Sequence, residues 1–443
     1  MSVHIPWQAW YGETQQELSF PAGWRVTVAS MADAPAVGDG AILQALQNPI
    51  GSPPLREMAG KSKKAVIVVE DITRPLRTAT LLPAVLSELE AGGLTAEDVW
   101  FMIGLGSHTP MNRSDLIKKL GRAVVDNHVV YQNQPYENTE FLGTTQRGTP
   151  VHISRFYLGA DLRISVSSIT PHPYAGFGGG AKTVAVGVAG IDTLNVNHGR
   201  AYSSGPPTTG RLEGNDCRDD MEEIARMAQV SLTVNGVLNS RRELAGLFAG
   251  DQVQAHRAAV AFARQVYATE LPPPADVAVL NAYPKDTCLA QAINALNVVG
   301  YDLSRAMKKD GTVILAAACP EGAGIIYLES VGMRLYLKFS REQMGLGKNS
   351  AILFSPNLAH VEVAQTYPPD TVVLNRWEQV TEELVKRHGH QASVTVFPNA
   401  SLQIPADQEA RGIAAHGCGM DSLDLAIPRA NRDSKHKTMK GRK

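Results

Sequence analysis

The chain has 443 residues, and its 42 lysines and arginines nearly balance its 43 aspartates and glutamates. At about 150 residues per domain, this length predicts two or three domains with sizeable cores. Because there is no excess of basic residues, neither nucleic acid nor an anionic membrane is expected as a partner. The four cysteines lie far apart and form no C-x-x-C pair, which is typical of free thiols in a reducing compartment.

The sequence shows no targeting or membrane signal. Its first residues, MSVHIPWQAWYGE, lack the charged and apolar regions of a signal peptide. No apolar run approaches the roughly 18 residues that a membrane-spanning helix needs. We therefore expect a soluble, cytoplasmic protein.

The first part of the chain alternates strand-like and helix-like segments. Apolar runs predict buried strands at 64–71 and 99–103, and amphipathic patterns predict helices at 81–91 and 113–120. Such alternation favours an α/β fold with a mainly parallel sheet, in which ligands bind at the carboxyl ends of the strands. DITRP (71–75) and GLGSHT (104–109) begin where predicted strands end, so binding residues are expected there.

The second part repeats this organisation after a proline-rich break at 271–274. Before the break, the patterns predict a strand at 162–166 and helices at 219–230 and 240–267. After it, they predict a helix at 288–299 and strands that begin at 276, 311, 351, 371 and 393. The sequence therefore predicts an N-terminal α/β domain over 1–270, a C-terminal α/β domain over 275–425, and a disordered basic tail over 433–443.

A glycine-rich stretch, GFGGGAKT (176–183), lies at the centre of the chain. It follows His172, which two flanking prolines restrict to extended geometry. Four glycines in five positions let the backbone turn sharply and bring N–H groups close to a ligand. The pattern nearly matches a phosphate-binding P-loop, although Ala181 replaces its last glycine and the following segment is a poor helix. A purely structural turn with Lys182 in solvent is the other interpretation.

Polar residues also stand at the two predicted strand ends. Asp71, Thr73 and Arg74 offer a carboxylate, a hydroxyl and a guanidinium that could clamp an anion, although an ordinary capped turn has the same composition. His108 lies in a loop after a strand, where a catalytic role is plausible. Surface or structural roles are expected for the histidines at 4, 128, 152, 256, 360, 388, 390, 416 and 436.

Four of these segments together resemble a known family. DITRP, GLGSHTP, SSITPHPYAGFGGGAK and NVNHGR are similar, in order and spacing, to the signature segments of the nickel-pincer lactate racemase family (LarA-type). The resemblance implies two α/β domains that enclose an active-site cleft, the N-terminal one tethering the cofactor. It implies an isomerase that racemises or epimerises a small 2-hydroxy acid. The implied cofactor is a nickel-pincer nucleotide, pyridinium-3-thioamide-5-thiocarboxylic acid mononucleotide, which holds Ni(II) and is supplied by dedicated biosynthesis enzymes.

The resemblance also implies roles for individual residues. Lys182 would tether the cofactor through a thioamide, His198 would complete the nickel coordination, and His108 and His172 would be the general acid/base pair. Further cofactor contacts are implied for Asp71, Thr73, Arg74, Gly178, Gly179 and Gly180, and substrate contacts for Arg74, Gln291 and Asn294.

This chemistry suits a 2-hydroxy acid. Its α-hydrogen is a very weak acid because the neighbouring carboxylate is already ionised, whereas removal as hydride creates no dianion. A neutral imidazole can take the hydroxyl proton at neutral pH. The planar 2-keto acid can then take hydride back on either face, so one histidine is expected for the hydroxyl of each enantiomer.

Two positions depart from the family's lactate-specific pattern. Ala290 stands where that pattern has a tyrosine, and Asn294 where it has a lysine. Both changes enlarge the pocket and lower its positive charge, which favours a substrate that is longer or more hydroxylated than lactate. Two other functions stay open: a P-loop-like nucleotide-dependent kinase or ligase that binds ATP through Lys182, and a non-catalytic homologue that binds the cofactor.

Overall fold

The computed structural model describes residues 1–203, 208–324 and 339–407. Its strands are β1 Ser2–Trp7, β2 Thr14–Ser19, β3 Arg25–Val28, β4 Ala65–Glu70, β5 Val99–Gly104, β6 Val130–Gln132, β7 Thr139–Thr144, β8 Pro150–Ser154, β9 Leu162–Ser168, β10 Pro171–His172, β11 Gly176–Phe177, β12 Leu232–Leu238, β13 Leu244–Gly250, β14 Ala268–Thr269, β15 Ala275–Asn281, β16 Met307–Ala316, β17 Ser350–Phe354, β18 Val372–Leu374, β19 Ser393–Phe397 and β20 Ile404–Pro405.

The helices alternate with these strands. They are α1 Asp39–Gln47, α2 Leu55–Ala59, α3 Leu82–Ala91, α4 Arg113–Leu120, α5 Arg122–Asn127, α6 Arg155–Leu158, α7 Lys182–Ala185, α8 Ile191–Ser203, α9 Asp216–Met227, α10 Gln254–Tyr267, α11 Leu289–Ala292, α12 His360–Thr366 and α13 Trp377–His388, with 3₁₀ turns at Thr78–Thr80, Ala96–Asp98, Ile293–Val299 and Leu303–Arg305. Within the described ranges, no helix is long and apolar enough to cross a membrane.

The first sheet has six strands in the order β13-β12-β9-β4-β5-β6, and only the β12–β13 pair is antiparallel. All six residues of β4 are buried. Ile67 and Val69 face one hydrophobic core, and Val66 and Val68 face the other. An unbroken apolar run therefore forms a strand here because both faces of the sheet are covered.

The second sheet also has six strands, in the order β18-β17-β16-β15-β19-β3, and all of its pairs are parallel. Leu280 and Val313 face one core, and Val279 and Ile314 face the other. Two mainly parallel sheets covered by helices make this an α/β fold, as the sequence predicts.

The start of the chain belongs to the second sheet, which differs from the predicted 1–270 domain. Strand β3 pairs in parallel with β19, and the β1–β2 hairpin packs Ile5, Trp7 and Leu18 into a core of that sheet. Such pairings join segments far apart in sequence and leave no local signal. The ends of the other two predicted ranges, including the 433–443 tail, lie outside the described residues.

One helix prediction was wrong in part. The predicted helix over 240–267 is helical only from α10 onward, because Leu244–Gly250 forms the strand β13. The two glycines in this segment disfavour a helix. Gly250 also has a φ of +143° and packs so tightly against Ile50 that an added Cβ would lie 2.0 Å from its carbonyl oxygen.

The loops at the carboxyl ends of the two sheets meet. The loop after β15 reaches the turn after β9, where Lys285 Nζ donates to the Pro171 carbonyl at 2.9 Å. The loop after β4 reaches α11, where Arg74 Nη1 lies 3.2 Å from Gln291 Oε1. The predicted ligand-facing edges therefore form one cleft.

Candidate active site

The turn after β4 is organised by the buried carboxylate of Asp71. One of its oxygens accepts hydrogen bonds from the backbone N–H and hydroxyl of Thr73, at 2.7 and 2.5 Å. Thr73 Oγ1 in turn accepts a bond from Arg74 Nη1 at 2.7 Å. These bonds fix the position of the guanidinium, a group that can hold a carboxylate bidentately.

The other oxygen of Asp71 orients His108, which follows β5. His108 Nδ1 lies 2.8 Å from Asp71 Oδ2. Burial by itself raises the pKa of this carboxyl, but the adjacent His108 and Arg74 outweigh burial and hold the pKa well below its usual value. An ionised carboxylate can only accept a hydrogen bond, so Nδ1 of His108 carries a proton, and in the neutral form of the ring Nε2 is the nitrogen with the free lone pair. His108 is therefore arranged as a proton acceptor at Nε2.

His172 is held in the opposite sense. Its Nδ1 accepts the backbone N–H groups of Tyr174 and Ala175, each at 3.2 Å. Burial, followed by the charges of Lys182 and Arg74, holds the pKa of His172 well below its usual value. The neutral ring therefore carries its proton on Nε2, which makes that atom a hydrogen-bond donor.

Lys182 is the first residue of α7, and its amine is close to neutral. Burial is the largest cause, and together with the cations Arg74 and Arg218 it lowers the pKa of Lys182 to about 7. An uncharged amine is the form that attacks an acyl carbon.

His198 lies on α8 with its ring centroid 6.1 Å from that of His172. Its Nδ1 is 3.1 Å from Asn197 Oδ1, and the amide of Asn197 is oriented by its Nδ2, which donates to Asp220 Oδ2 at 2.7 Å. An amide oxygen only accepts, so the imidazole Nδ1 carries the proton and Nε2 is free to coordinate a metal. Burial and the charge of Lys182 lower the pKa of His198 to about 3, which keeps the ring neutral.

The second half of the chain adds amides to the cleft. Gln291 Oε1 accepts from Arg74, and Asn294 Nδ2 donates to the Gln291 carbonyl at 2.8 Å. Ala290 is buried beside Gly324, where a Cβ added to that glycine would lie 3.5 Å from the Ala290 Cβ. The structure thus brings together Arg74, Gln291 and Asn294, the three residues predicted to bind substrate.

Polar backbone groups of the glycine loop form hydrogen bonds within the protein. The N–H of Gly178 donates to the Thr170 carbonyl at 2.7 Å, and that of Gly180 to Asn235 Oδ1 at 2.8 Å. The Gly178 carbonyl accepts a hydrogen bond from His256 Nε2 at 2.9 Å. The buried guanidinium of Arg218 donates to the carbonyls of Ala175, Phe177 and Gly179. Two N–H groups that would cradle a phosphate are therefore engaged inside the protein, and the loop acts as a rigid support for Lys182.

We expect the substitution Gly180→Ala in this loop to destabilise the folded protein strongly. Gly180 has a φ of +56°, and an added Cβ would lie 2.7 Å from the His256 ring, which its hydrogen bond to Gly178 holds in place. We expect the free energy of unfolding of the apoprotein to fall by roughly 2–4 kcal/mol, from the left-handed backbone plus overpacking. Gly214→Ala is the matched control because its φ of +62° is similar but no atom lies within 4 Å of the added Cβ. Equal losses in urea denaturation of the two variants would contradict this account of the loop.

Several residues that shape the cleft escaped the sequence analysis. Arg218, Asn197 and Asp220 support the loop and His198 from α8 and α9, and nothing in their local pattern indicates this. Lys285 could have been found, because it follows the buried run that predicts β15 and so stands at a ligand-facing edge.

The sequence relatives decide the family. The family model described as "Lactate racemase N-terminal domain" matches residues 11–210. A lactate racemase of Thermoanaerobacterium thermosaccharolyticum is 31% identical over 288 residues, which are 64% of this chain and 66% of that protein. A lactate racemase of Lactiplantibacillus plantarum is 27% identical over 382 residues, which are 80% of this chain and 88% of that protein.

The chain belongs to the lactate racemase family. It is accordingly an isomerase of the racemase class with a small-molecule substrate.

Solved structures show the same fold. The lactate racemase apoprotein of T. thermosaccharolyticum superposes with a TM-score of 0.72 at 22% identity, covering 91% of this chain and 100% of that one. A protein from Thermotoga maritima gives a TM-score of 0.60 at 18% identity, covering 79% of this chain and 97% of that one. The fold of this chain is therefore shared with a solved lactate racemase.

Proposed function

We propose that this lactate racemase family member is a nickel-pincer-dependent racemase or epimerase of a 2-hydroxy acid. It would remove the α-hydrogen as hydride and return it on the opposite face. The observation that carries the proposal is the pairing of a near-neutral Lys182 with His198, whose Nε2 is free. A nucleophilic amine and a neutral imidazole are what a covalently tethered nickel cofactor requires of a protein.

The residues present fit this cofactor. Lys182 would hold it through an amide-type bond, which needs the amine that a pKa of about 7 makes available. His198 would supply a nitrogen ligand, which suits the square-planar preference of Ni(II). When bound, the group supplies an electrophilic pyridinium carbon that accepts hydride.

The proton chemistry would fall to the two other histidines. His108 would take the substrate hydroxyl proton at Nε2, since Asp71 holds its Nδ1 proton and stabilises the imidazolium that forms. His172, which carries its proton on Nε2, would donate a hydrogen bond to the substrate oxygen while the carbonyl forms. When hydride returns to the other face, a histidine in its imidazolium form would give the proton back to that oxygen. We therefore propose that His108 and His172 form the acid/base pair, with His108 the proton acceptor as the rings are held here.

Substrate binding would rest on Arg74 and the amides opposite it. Arg74 would hold the carboxylate while the carbonyl turns over between the two faces. Gln291 and Asn294 would accept or donate bonds to further hydroxyl groups. Because Ala290 and Asn294 are small and uncharged, we propose that the substrate is longer or more hydroxylated than lactate.

The other interpretations have less support. A kinase or ligase needs the loop N–H groups for phosphate, whereas two of them bond to Thr170 and Asn235. A non-catalytic cofactor carrier has no use for an oriented Asp71–His108 pair.

A labelled substrate tests the proposed reaction. Enzyme co-expressed with the cofactor biosynthesis enzymes is given single enantiomers of 2-deuterated 2-hydroxy acids of increasing chain length and hydroxylation, in ordinary water. We expect the opposite configuration to form with deuterium retained at the α-carbon, and with kcat/KM higher for a longer acid than for lactate. Loss of deuterium to solvent would indicate proton abstraction and refute the hydride reaction.

A further inference from the structure

Lys285 is a buried lysine to which the reaction above assigns no role. Its side chain is 1% exposed, and it follows β15 at the carboxyl end of a central strand of the second sheet. Its Nζ donates to the Pro171 carbonyl at 2.9 Å. Pro171 immediately precedes His172, so this bond ties the second half of the chain to the turn that carries a reacting histidine.

The surroundings of Lys285 are unusual for a buried amine. Among the described residues its Nζ forms no ion pair, and the adjacent Asp286 instead accepts the backbone N–H groups of Gln8 and Ala9. Burial, and then the cations Arg74 and Lys182, hold the pKa of Lys285 well below its usual value. Burying such a group without a carboxylate partner lowers the stability of a fold, so its presence needs another reason.

A second buried lysine shows the usual arrangement. Lys119 is fully buried, and its Nζ lies 3.2 Å from Glu70 Oε1 and 3.0 Å from the carbonyls of Arg74 and Leu76. That ammonium is neutralised and satisfied within the N-terminal sheet. Lys119 thus has a carboxylate partner and two carbonyl partners, whereas Lys285 bonds to a single carbonyl.

We propose that Lys285 is a positioning residue for His172, which it serves by holding the Pro171 carbonyl from the opposite side of the cleft. The bonds from Tyr174 and Ala175 to Nδ1 set the direction of the ring. Thr208 holds the Pro173 carbonyl from the same half of the chain, whereas Lys285 holds the turn from the other half. Besides Lys285, Asn297 Nδ2 approaches the same carbonyl, at 3.5 Å. The inference rests on the proposed function, since it assigns His172 to the reaction.

The test is Lys285→Met in enzyme loaded with cofactor. Methionine keeps the length of the side chain and removes the donor. We expect kcat for racemisation to fall roughly 10- to 100-fold with KM within about threefold of wild type, because a displaced histidine slows the reaction without weakening binding. The Tm of the apoprotein should stay level or rise, since a costly buried amine is gone.

Two controls accompany this variant. Lys119→Met should lower Tm by about 5 °C or more, because it leaves Glu70 buried without its partner. Lys308→Met, at an exposed lysine paired with Asp276, should change neither activity nor Tm. The mass and turnover of the wild-type enzyme test the proposed function separately. If the wild type carries no adduct on Lys182 or does not racemise its substrate, the proposed function is wrong, and the role of Lys285 falls with it.

The other outcomes overturn the inference. Unchanged kcat in Lys285→Met would show that the bond to Pro171 does not matter. A raised KM with normal kcat would assign Lys285 to substrate binding. A fall in Tm like that of Lys119→Met, with activity lost in parallel, would assign it a structural role.

Discussion

Lys182→Ala should carry no covalent adduct and show no detectable racemisation. The proposed tether is a bond to the amine nitrogen of Lys182, so without that nitrogen no attachment is possible. The fold should persist, because removal of the side chain relieves its repulsion with Arg74 and Arg218. Intact-protein mass spectrometry after co-expression with the biosynthesis enzymes measures attachment, and chiral chromatography of the product measures turnover.

Lys182→Arg is the matched control for this variant. Arginine keeps a cation at the position but offers no amine that loses its proton near neutral pH. We expect it to lack the adduct as well, whereas Lys308→Ala should be fully modified. An adduct of unchanged mass in Lys182→Ala would contradict the assignment of the tether.

His108→Ala should lower kcat by roughly 10²–10⁴-fold, the usual effect of losing a general base. The reason is that, in the proposed reaction, the lone pair on Nε2 of His108 takes the hydroxyl proton while Asp71 holds Nδ1. Adduct mass and nickel content should remain as in wild type, because the proposal assigns the tether to Lys182 and the metal to His198. Stopped-time chiral assays over a substrate series give kcat and KM separately.

Asp71→Asn separates orientation from the base itself. The imidazole remains, but a neutral amide no longer enforces a proton on Nδ1 or stabilises the imidazolium. We expect a loss of similar size to His108→Ala, and little further loss when the two changes are combined, since the residues act as a unit. Additive losses, or near-normal turnover in His108→Ala, would remove the pair from the mechanism.

Much of the site was predictable because it lies near local sequence signals. The apolar runs of β4 and β5 end directly before Asp71 and His108, and the rule that ligands bind at carboxyl ends places both in the cleft. Lys182 and His172 came from motif resemblance rather than from periodicity. Their roles stay predictions, whereas the structure places the ring of His172 with its centroid 6.1 Å from that of His198.

The glycine loop shows what sequence pattern leaves open. Four glycines beside Lys182 suit a phosphate cradle and a tightly packed turn equally well. Only the surroundings separate the two: an added Cβ at Gly180 would meet His256, and Arg218 fills the space behind the loop. Both residues come from elsewhere in the chain, so no local window contains them.

Contacts between the halves of the chain were also beyond local reasoning. Arg74 meets Gln291 across 217 positions, and Lys285 meets Pro171 across 114. Strand β3 joins the second sheet beside β19 although it precedes the whole first sheet. The pattern of apolar residues along the sequence predicts that a strand exists, but which strand it pairs with depends on the packing of the complete fold.

Intact-protein mass spectrometry of the wild-type chain, co-expressed with the cofactor biosynthesis enzymes and read beside a nickel assay, tests the central claim most directly. We predict a mass increase that maps to the peptide carrying Lys182, with nickel present in equal amount. An unmodified mass without nickel, together with ATP binding that depends on Lys182, would contradict the claim and favour a nucleotide-dependent enzyme.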